Sequence, residues 1–129
     1  MREIGIGLLG FGTVGAGVVE CIQKNGNLIA ERAGVRLVLS KIADVDLKRD
    51  RGVKVDRRIL TTDAMSVITD PDVDIVVELV GGTTHARTFM LEALRLGKPV
   101  VTANKALLAK CGKEVFAAAD KNGTDVCFE

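Results

Sequence analysis

A short apolar run, Ile4 to Leu9, breaks at Gly10-Phe11-Gly12-Thr13-Val14-Gly15, after which the apolar residues recur at helical spacing. No other feature of these 129 residues restricts the fold as strongly. The run is short and carries Gly5 and Gly7, which predicts a buried strand rather than a helix. Thr13 to Lys24 predicts a helix with Val14, Val18, Cys21 and Ile22 on its inward side. A G-x-G-x-x-G spacing between a strand and a helix is the arrangement that grips a dinucleotide. Gly10 permits the tight turn, Gly12 lets a pyrophosphate approach the backbone, and Gly15 lets the helix pack closely on the strand. Free N–H groups and the positive end of the helix would then hold the phosphates. A glycine turn that serves packing alone is the competing account, and the strand-turn-helix context speaks against it.

The rest of the chain alternates in the same way. Gly26 is expected to interrupt the first helix, Leu28 to Arg32 resumes it, and Gly34 supplies a stop. Arg36 to Ala43 reads as the second strand, followed by the charged segment Asp44 to Arg51. Lys54 to Leu60 fits a loop or a short edge element. Thr61-Thr62-Asp63 can cap a short helix to about Thr69, which Asp70-Pro71-Asp72 ends. Ile75 to Val80 predicts a third buried strand closed by Gly81-Gly82. Thr83 or Thr84 then caps a helix with the inward stripe Ala86, Phe89, Met90, Ala93 and Leu94. Gly97-Lys98-Pro99 turns into the strand Val100 to Thr102. Asn104 caps a helix over Lys105 to Lys110, Gly112 separates it from a second over Lys113 to Asn122, and Gly123 stops it before a strand starting at Thr124. This order predicts one α/β domain over residues 1–129: a doubly wound, mostly parallel sheet with helices on both faces.

Composition agrees. With 47% hydrophobic but only 3% aromatic residues, and no Trp or Tyr, the core must be Val, Leu, Ile and Ala, which suits buried parallel strands. The 18 Lys and Arg against 17 Asp and Glu leave no field to attract nucleic acid or an anionic membrane. No apolar run reaches the ~18 residues of a membrane span. Cys21, Cys111 and Cys127 lack a CxxC or His-bearing metal spacing and are expected to be reduced, cytoplasmic, mostly buried thiols, with no metal site.

In such a sheet, ligands bind outside the carboxyl ends of the strands. Gly81, Thr83, Asn104 and Lys105 all follow predicted strands and should share a rim with the glycine loop. Asp44 is the candidate acid for the adenosine ribose hydroxyls, with Asp46 in reserve. It lies 34 positions after Gly10, where about 20 is usual, and the extended helical segment through Arg32 accounts for the difference. Lys48, Arg49 and Arg51 could neutralise the 2′-phosphate of NADP, which pulls against Asp44 and leaves NAD or NADP open; the same residues also fit a solvated loop. Lys105 could donate to a substrate hydroxyl or carbonyl oxygen and steady the alkoxide-like charge of hydride transfer; taken alone it fits an exposed first-turn lysine as well. Glu78, among valines, fits a hydrogen-bonded structural role better than acid–base catalysis. His85, the one histidine, stands in the first turn of a helix beside the Gly81-Gly82 loop, which allows a catalytic role, but it fits a capping or solvated role better.

Three stretches read together carry a resemblance: Gly7-Leu8-Leu9-Gly10-Phe11-Gly12-Thr13-Val14-Gly15, Val76-Val77-Glu78-Leu79-Val80-Gly81-Gly82, and Gly97 to Ala109 with its Ala103-Asn104-Lys105-Ala106-Leu107-Leu108-Ala109. The chain resembles the homoserine dehydrogenase family along essentially its whole length. That resemblance implies a Rossmann-type domain of an NAD- or NADP-dependent enzyme interconverting L-homoserine and L-aspartate 4-semialdehyde on the route to threonine, methionine and isoleucine. It also implies a homo-oligomer in which a dimerisation and catalytic domain after residue 129 holds further catalytic groups. Carried over, Phe11, Thr13 and Val14 contact the cofactor phosphates, Lys105 is the active-site lysine, and Thr83 and Thr84 border the nicotinamide ribose. Glu129 opens a motif near the substrate. The similar glucose-fructose oxidoreductase and inositol dehydrogenase family typically follows its lysine with proline, where Ala106 stands here. A nucleotide-sensing module without chemistry would need only the glycine loop and Asp44, and Asn104-Lys105 favours an enzyme domain. The 129 residues alone are expected to bind cofactor weakly without turnover.

Overall fold

The computed structural model describes residues 1–128. The opening apolar run becomes β1 (Glu3–Leu9), buried from Gly5 onward, and the glycine loop turns it into α1 (Thr13–Ala33). There follow β2 (Arg36–Ala43), a 3-10 turn at Arg57–Ile59, β3 (Leu60–Thr61), α2 (Ala64–Ile68), β4 (Ile75–Glu78), α3 (Thr84–Arg95), β5 (Val100–Thr102), α4 (Lys105–Lys121) and β6 (Val126–Phe128). The strand order is β3-β2-β1-β4-β5-β6, and every pairing is parallel. The winding reverses between β1 and β4. At such a switch point the loops leaving two adjacent strands run to opposite faces, which opens a crevice at the carboxyl ends.

Successive strand residues face opposite ways, so the fully buried Leu8 and Leu9 enter different cores. Leu9, Val76 and Val100 meet Met90 and Leu94 of α3 and Leu107 and Val115 of α4 on one face. Leu8 and Ile42 meet Phe11, Ala16 and Val19 on the other. Asp63 accepts from the N–H groups of Met65 and Ser66, and Asn104 from that of Leu107, so these two predicted caps form, whereas Thr83 holds the cap position of α3 without a side-chain hydrogen bond. No helix among the described residues is long and apolar enough to cross a membrane.

Several expectations need correcting. α1 runs unbroken through Gly26, because the roughly 1 kcal/mol that a mid-helix glycine costs is small beside the packing of a 21-residue helix. Its buried face is Gly15, Ala16, Val19 and Ala30, while Val14 is 61% exposed and Cys21 is exposed. Apolar spacing alone leaves the rotation of a helix open; here the close approach of Gly15 to the loop decides it. The thiols are free but not mostly buried: Cys127 is exposed and Cys111 partly so. β4 ends at Glu78, two residues early, although the Leu79 N–H still donates to the Leu9 carbonyl at 2.7 Å. The expected break near Gly112 survives as a kink at Cys111 within α4.

Candidate functional site

Gly10 turns out of β1 with φ +98°, and a Cβ there would lie 2.6 Å from the Leu79 carbonyl oxygen. A Cβ on Gly15 would lie 2.3 Å from the Gly10 carbonyl oxygen. A Cβ on Gly12 would meet nothing within 4 Å. Two glycines are thus required by backbone crowding, and the one between them faces open space at the start of α1. Gly12 itself is the helix cap and offers no side-chain hydrogen bond, so the first-turn N–H groups at Thr13 and Val14 are available to an anion. Phe11 differs from the other loop residues. Its ring is buried, and its N–H donates to Asp44 Oδ2 at 2.6 Å.

Asp44 is held from several sides. Its Oδ1 accepts the Asp46 N–H at 2.9 Å and lies 3.4 Å from Arg51 Nη2. The Arg51 side chain, only 4% exposed, donates to the carbonyls of Phe11, Asp46 and Arg49 and stacks 4.6 Å over the Phe11 ring. Lys48 and Arg49 remain exposed. Asp46 takes the N–H groups of Lys48 and Arg49 in its own turn, and of the two acids that line the cleft, Asp44 and Asp63, the second is occupied in capping α2. That cleft, about 480 Å³, is lined by Gly10, Gly12 and Asp44 and by the apolar Ala43, Met65, Leu79, Val80 and Phe89. His85 belongs to its wall, 6.3 Å from and stacked on Phe89. Sequence reasoning assigned His85 to a cap or to solvent; its place one turn after Gly81-Gly82 was the available signal. A largely apolar cleft with the Asp44 carboxylate at the end of β2 suits an adenine ring and its ribose.

Across Leu79 a second cleft of about 360 Å³ is lined by Val14, Glu78, Gly81, Asn104 and Lys105. Glu78 is fully buried; Thr102 Oγ1 donates to one carboxylate oxygen at 3.2 Å and Asn104 Nδ2 to the other at 3.4 Å. Burial pushes its pKa up, and hydrogen bonds from Asn104, Thr102 and the Val80 N–H oppose that shift. Asn104 Nδ2 also donates to the Gly82 carbonyl at 2.5 Å, while its Oδ1 accepts the Leu107 N–H at 3.0 Å. One side chain therefore joins the ends of β4 and β5, the Gly81-Gly82 loop and the first turn of α4. Lys105 is exposed on that turn. Thr83 and Thr84 stand at the start of α3 and line neither cleft. Glu129 lies outside the described residues. Among the described residues no cluster of three His, Cys, Asp or Glu side chains is placed to hold a metal ion.

A parallel sheet wound 3-2-1-4-5-6, with a glycine loop at the switch point, an acid ending β2 and clefts on either side, defines a dinucleotide-binding domain of the Rossmann class. The family described as "Homoserine dehydrogenase, NAD binding domain" matches residues 10–129, and the chain belongs to it. Over all 129 residues the chain is 43% identical to the homoserine dehydrogenase of Bacillus subtilis (strain 168), of which it covers 30%. Among solved structures, the whole chain matches an S. aureus homoserine dehydrogenase with a TM-score of 0.92 at 36% identity, covering 33% of that chain. It likewise matches one from Thiobacillus denitrificans at 0.91 and 43%, covering 30% of that chain. The chain thus spans roughly a third of the length of these relatives.

Proposed function

We propose that this chain is the cofactor-binding domain of a cytoplasmic homoserine dehydrogenase, an oxidoreductase of threonine, methionine and isoleucine biosynthesis that interconverts L-homoserine and L-aspartate 4-semialdehyde with NAD or NADP. The observation that carries this reading is the apposition, on one rim and across Leu79, of the Gly10–Asp44 cleft and the Asn104–Lys105 cleft. The fit to a dinucleotide rests on Gly12, whose missing side chain leaves open space at free helix N–H groups. Thr13, Val14 and the glycines would hold the pyrophosphate, Asp44 the adenosine ribose, and Gly81, which lines the second cleft where Thr83 and Thr84 do not, the nicotinamide ribose. When bound, the nicotinamide accepts or delivers the hydride.

The chain's own part is to orient and to stabilise charge. Lys105, exposed at the mouth of the second cleft, would donate to the substrate oxygen and steady the negative charge that develops on it. Asn104 holds the turn that carries Lys105. A further domain, through which the enzyme forms a homo-oligomer, supplies the remaining groups and covers the nicotinamide. Two measurements test the proposal. The 129-residue chain should bind NAD or NADP saturably and fail to turn over homoserine. In the enzyme that includes the remaining domain, Lys105→Ala should lower kcat by about a hundredfold or more with an unchanged thermal midpoint. Turnover near the normal rate in that variant would remove Lys105 from the chemistry.

A further inference from the structure

We infer that Arg51 determines whether the adenosine cleft tolerates a 2′-phosphate, by neutralising Asp44 and not by ligating the phosphate, an inference that rests on reading the 480 Å³ cleft as the adenosine site. A carboxylate at the end of β2 suits a ribose hydroxyl and repels a second anion. Here that carboxylate is not alone. Arg51 Nη2 lies 3.4 Å from Asp44 Oδ1, and the two side chains are 4% and 16% exposed, so solvent screens the pair only partly.

Arg51 does not line the 480 Å³ cleft, and three of its five N–H groups are taken up by backbone carbonyls. Its Nε, Nη1 and Nη2 donate to the carbonyls of Phe11, Arg49 and Asp46, and its plane lies on the Phe11 ring. Each Asp44 oxygen already accepts one backbone N–H, from Phe11 and from Asp46. A carboxylate has about four acceptor sites, so room for a ribose hydroxyl remains. Along the loop Asp44, Asp46 and Asp50 are matched by Lys48, Arg49 and Arg51. This loop, whose Asp44 and Val45 line the cleft, carries no net charge, which suits a hydroxyl or a phosphate at the 2′ position. Lys48 and Arg49, exposed on the same loop, are the cations still free to approach a phosphate.

The test is a parallel titration of the chain and its variants with NAD and NADP at one ionic strength. The unaltered chain should bind both with dissociation constants within about tenfold of each other. Arg51→Gln should weaken NADP about tenfold more than NAD. Arg51→Lys keeps the charge but loses the planar fork, so it should preserve the NADP-to-NAD ratio even where both weaken. Asp44→Asn should move the ratio the other way, toward NADP. Equal weakening of both cofactors by Arg51→Gln would mean that Arg51 only holds the loop, and would overturn the inference while leaving the adenosine cleft standing. Should Arg51→Gln fail to fold, an unmoved ratio in Asp44→Asn overturns it instead. If the unaltered chain binds neither cofactor, the cleft reading itself falls and takes this inference with it.

Discussion

The main-chain N–H of Phe11 donates to Asp44 Oδ2 at 2.6 Å, joining residues 33 positions apart at the carboxyl ends of β1 and β2. The strands beneath them pair Leu9 with Ala43, so the sheet delivers the donor and the acceptor side by side. A charged acceptor makes such a bond about twice as strong as a neutral one. Asp44→Ala should therefore lower the unfolding free energy by about 2 kcal/mol, read by denaturant unfolding of the chain. A loss below about 0.5 kcal/mol would show that the bond contributes little to the fold.

Gly12 and Gly15 should separate function from stability. Gly15→Ala drives a methyl group to within 2.3 Å of the Gly10 carbonyl oxygen, and displacing α1 should cost about 3 kcal/mol. Gly12→Ala meets no atom within 4 Å and has an ordinary φ of −83°, so stability should change by no more than about 0.5 kcal/mol. Its methyl group would occupy the open space before α1, and cofactor affinity should fall at least about tenfold. Thermal melts and a cofactor titration on both variants decide the matter; similar melting points for the two would contradict the crowding at Gly15.

Glu78 makes a prediction about pH. Burial raises its pKa, so the folded chain holds this proton more tightly than the unfolded chain does. Its contribution to stability is then complete below the ordinary glutamate pKa of about 4.3, and is lost as pH rises from there through the raised value. Glu78→Gln keeps a neutral side chain at every pH. The stability of the unaltered chain minus that of the variant should fall through this window and then level off. A difference that stays flat from about pH 4 to pH 8 would contradict a raised pKa.

Asn104→Ala removes a cap and the tether to Gly82 together. The cap alone is worth about 1 kcal/mol, and denaturant unfolding should show at least that loss. Amide exchange should accelerate at Leu107 beyond what the global loss explains, since that N–H loses its partner. Exchange at Leu107 that changes only in step with the whole chain would place the cap's role elsewhere.

Much of this architecture is local and so was readable from the chain itself. β2 over Arg36–Ala43, β5 over Val100–Thr102, the caps at Asp63 and Asn104 and the glycine loop depend on neighbours a few residues away. Side-chain period, capping chemistry and left-handed turns are short-range properties. The motif residues at Gly10, Gly12, Gly15, Asp44, Asn104 and Lys105 fall on one rim because strand ends in a parallel sheet share an edge.

Other features depended on partners far along the chain. The buried face of α1 is Ala16 and Val19, because the contact between Gly15 and Gly10 sets its rotation. Lys98, in a predicted turn, reaches the carbonyls of Ile68 and Asp70 at 2.6 and 2.8 Å, and His85 forms cleft wall. Arg51, one of three cations in a charged run, folds onto Phe11 and Asp44 while Lys48 and Arg49 face solvent. By itself the sequence determined the order of the elements and the chemistry placed at their ends. Which way a helix turns, and which charge is buried against which, only the tertiary structure decided, because both follow from the backbone groups that packing leaves in need of a partner.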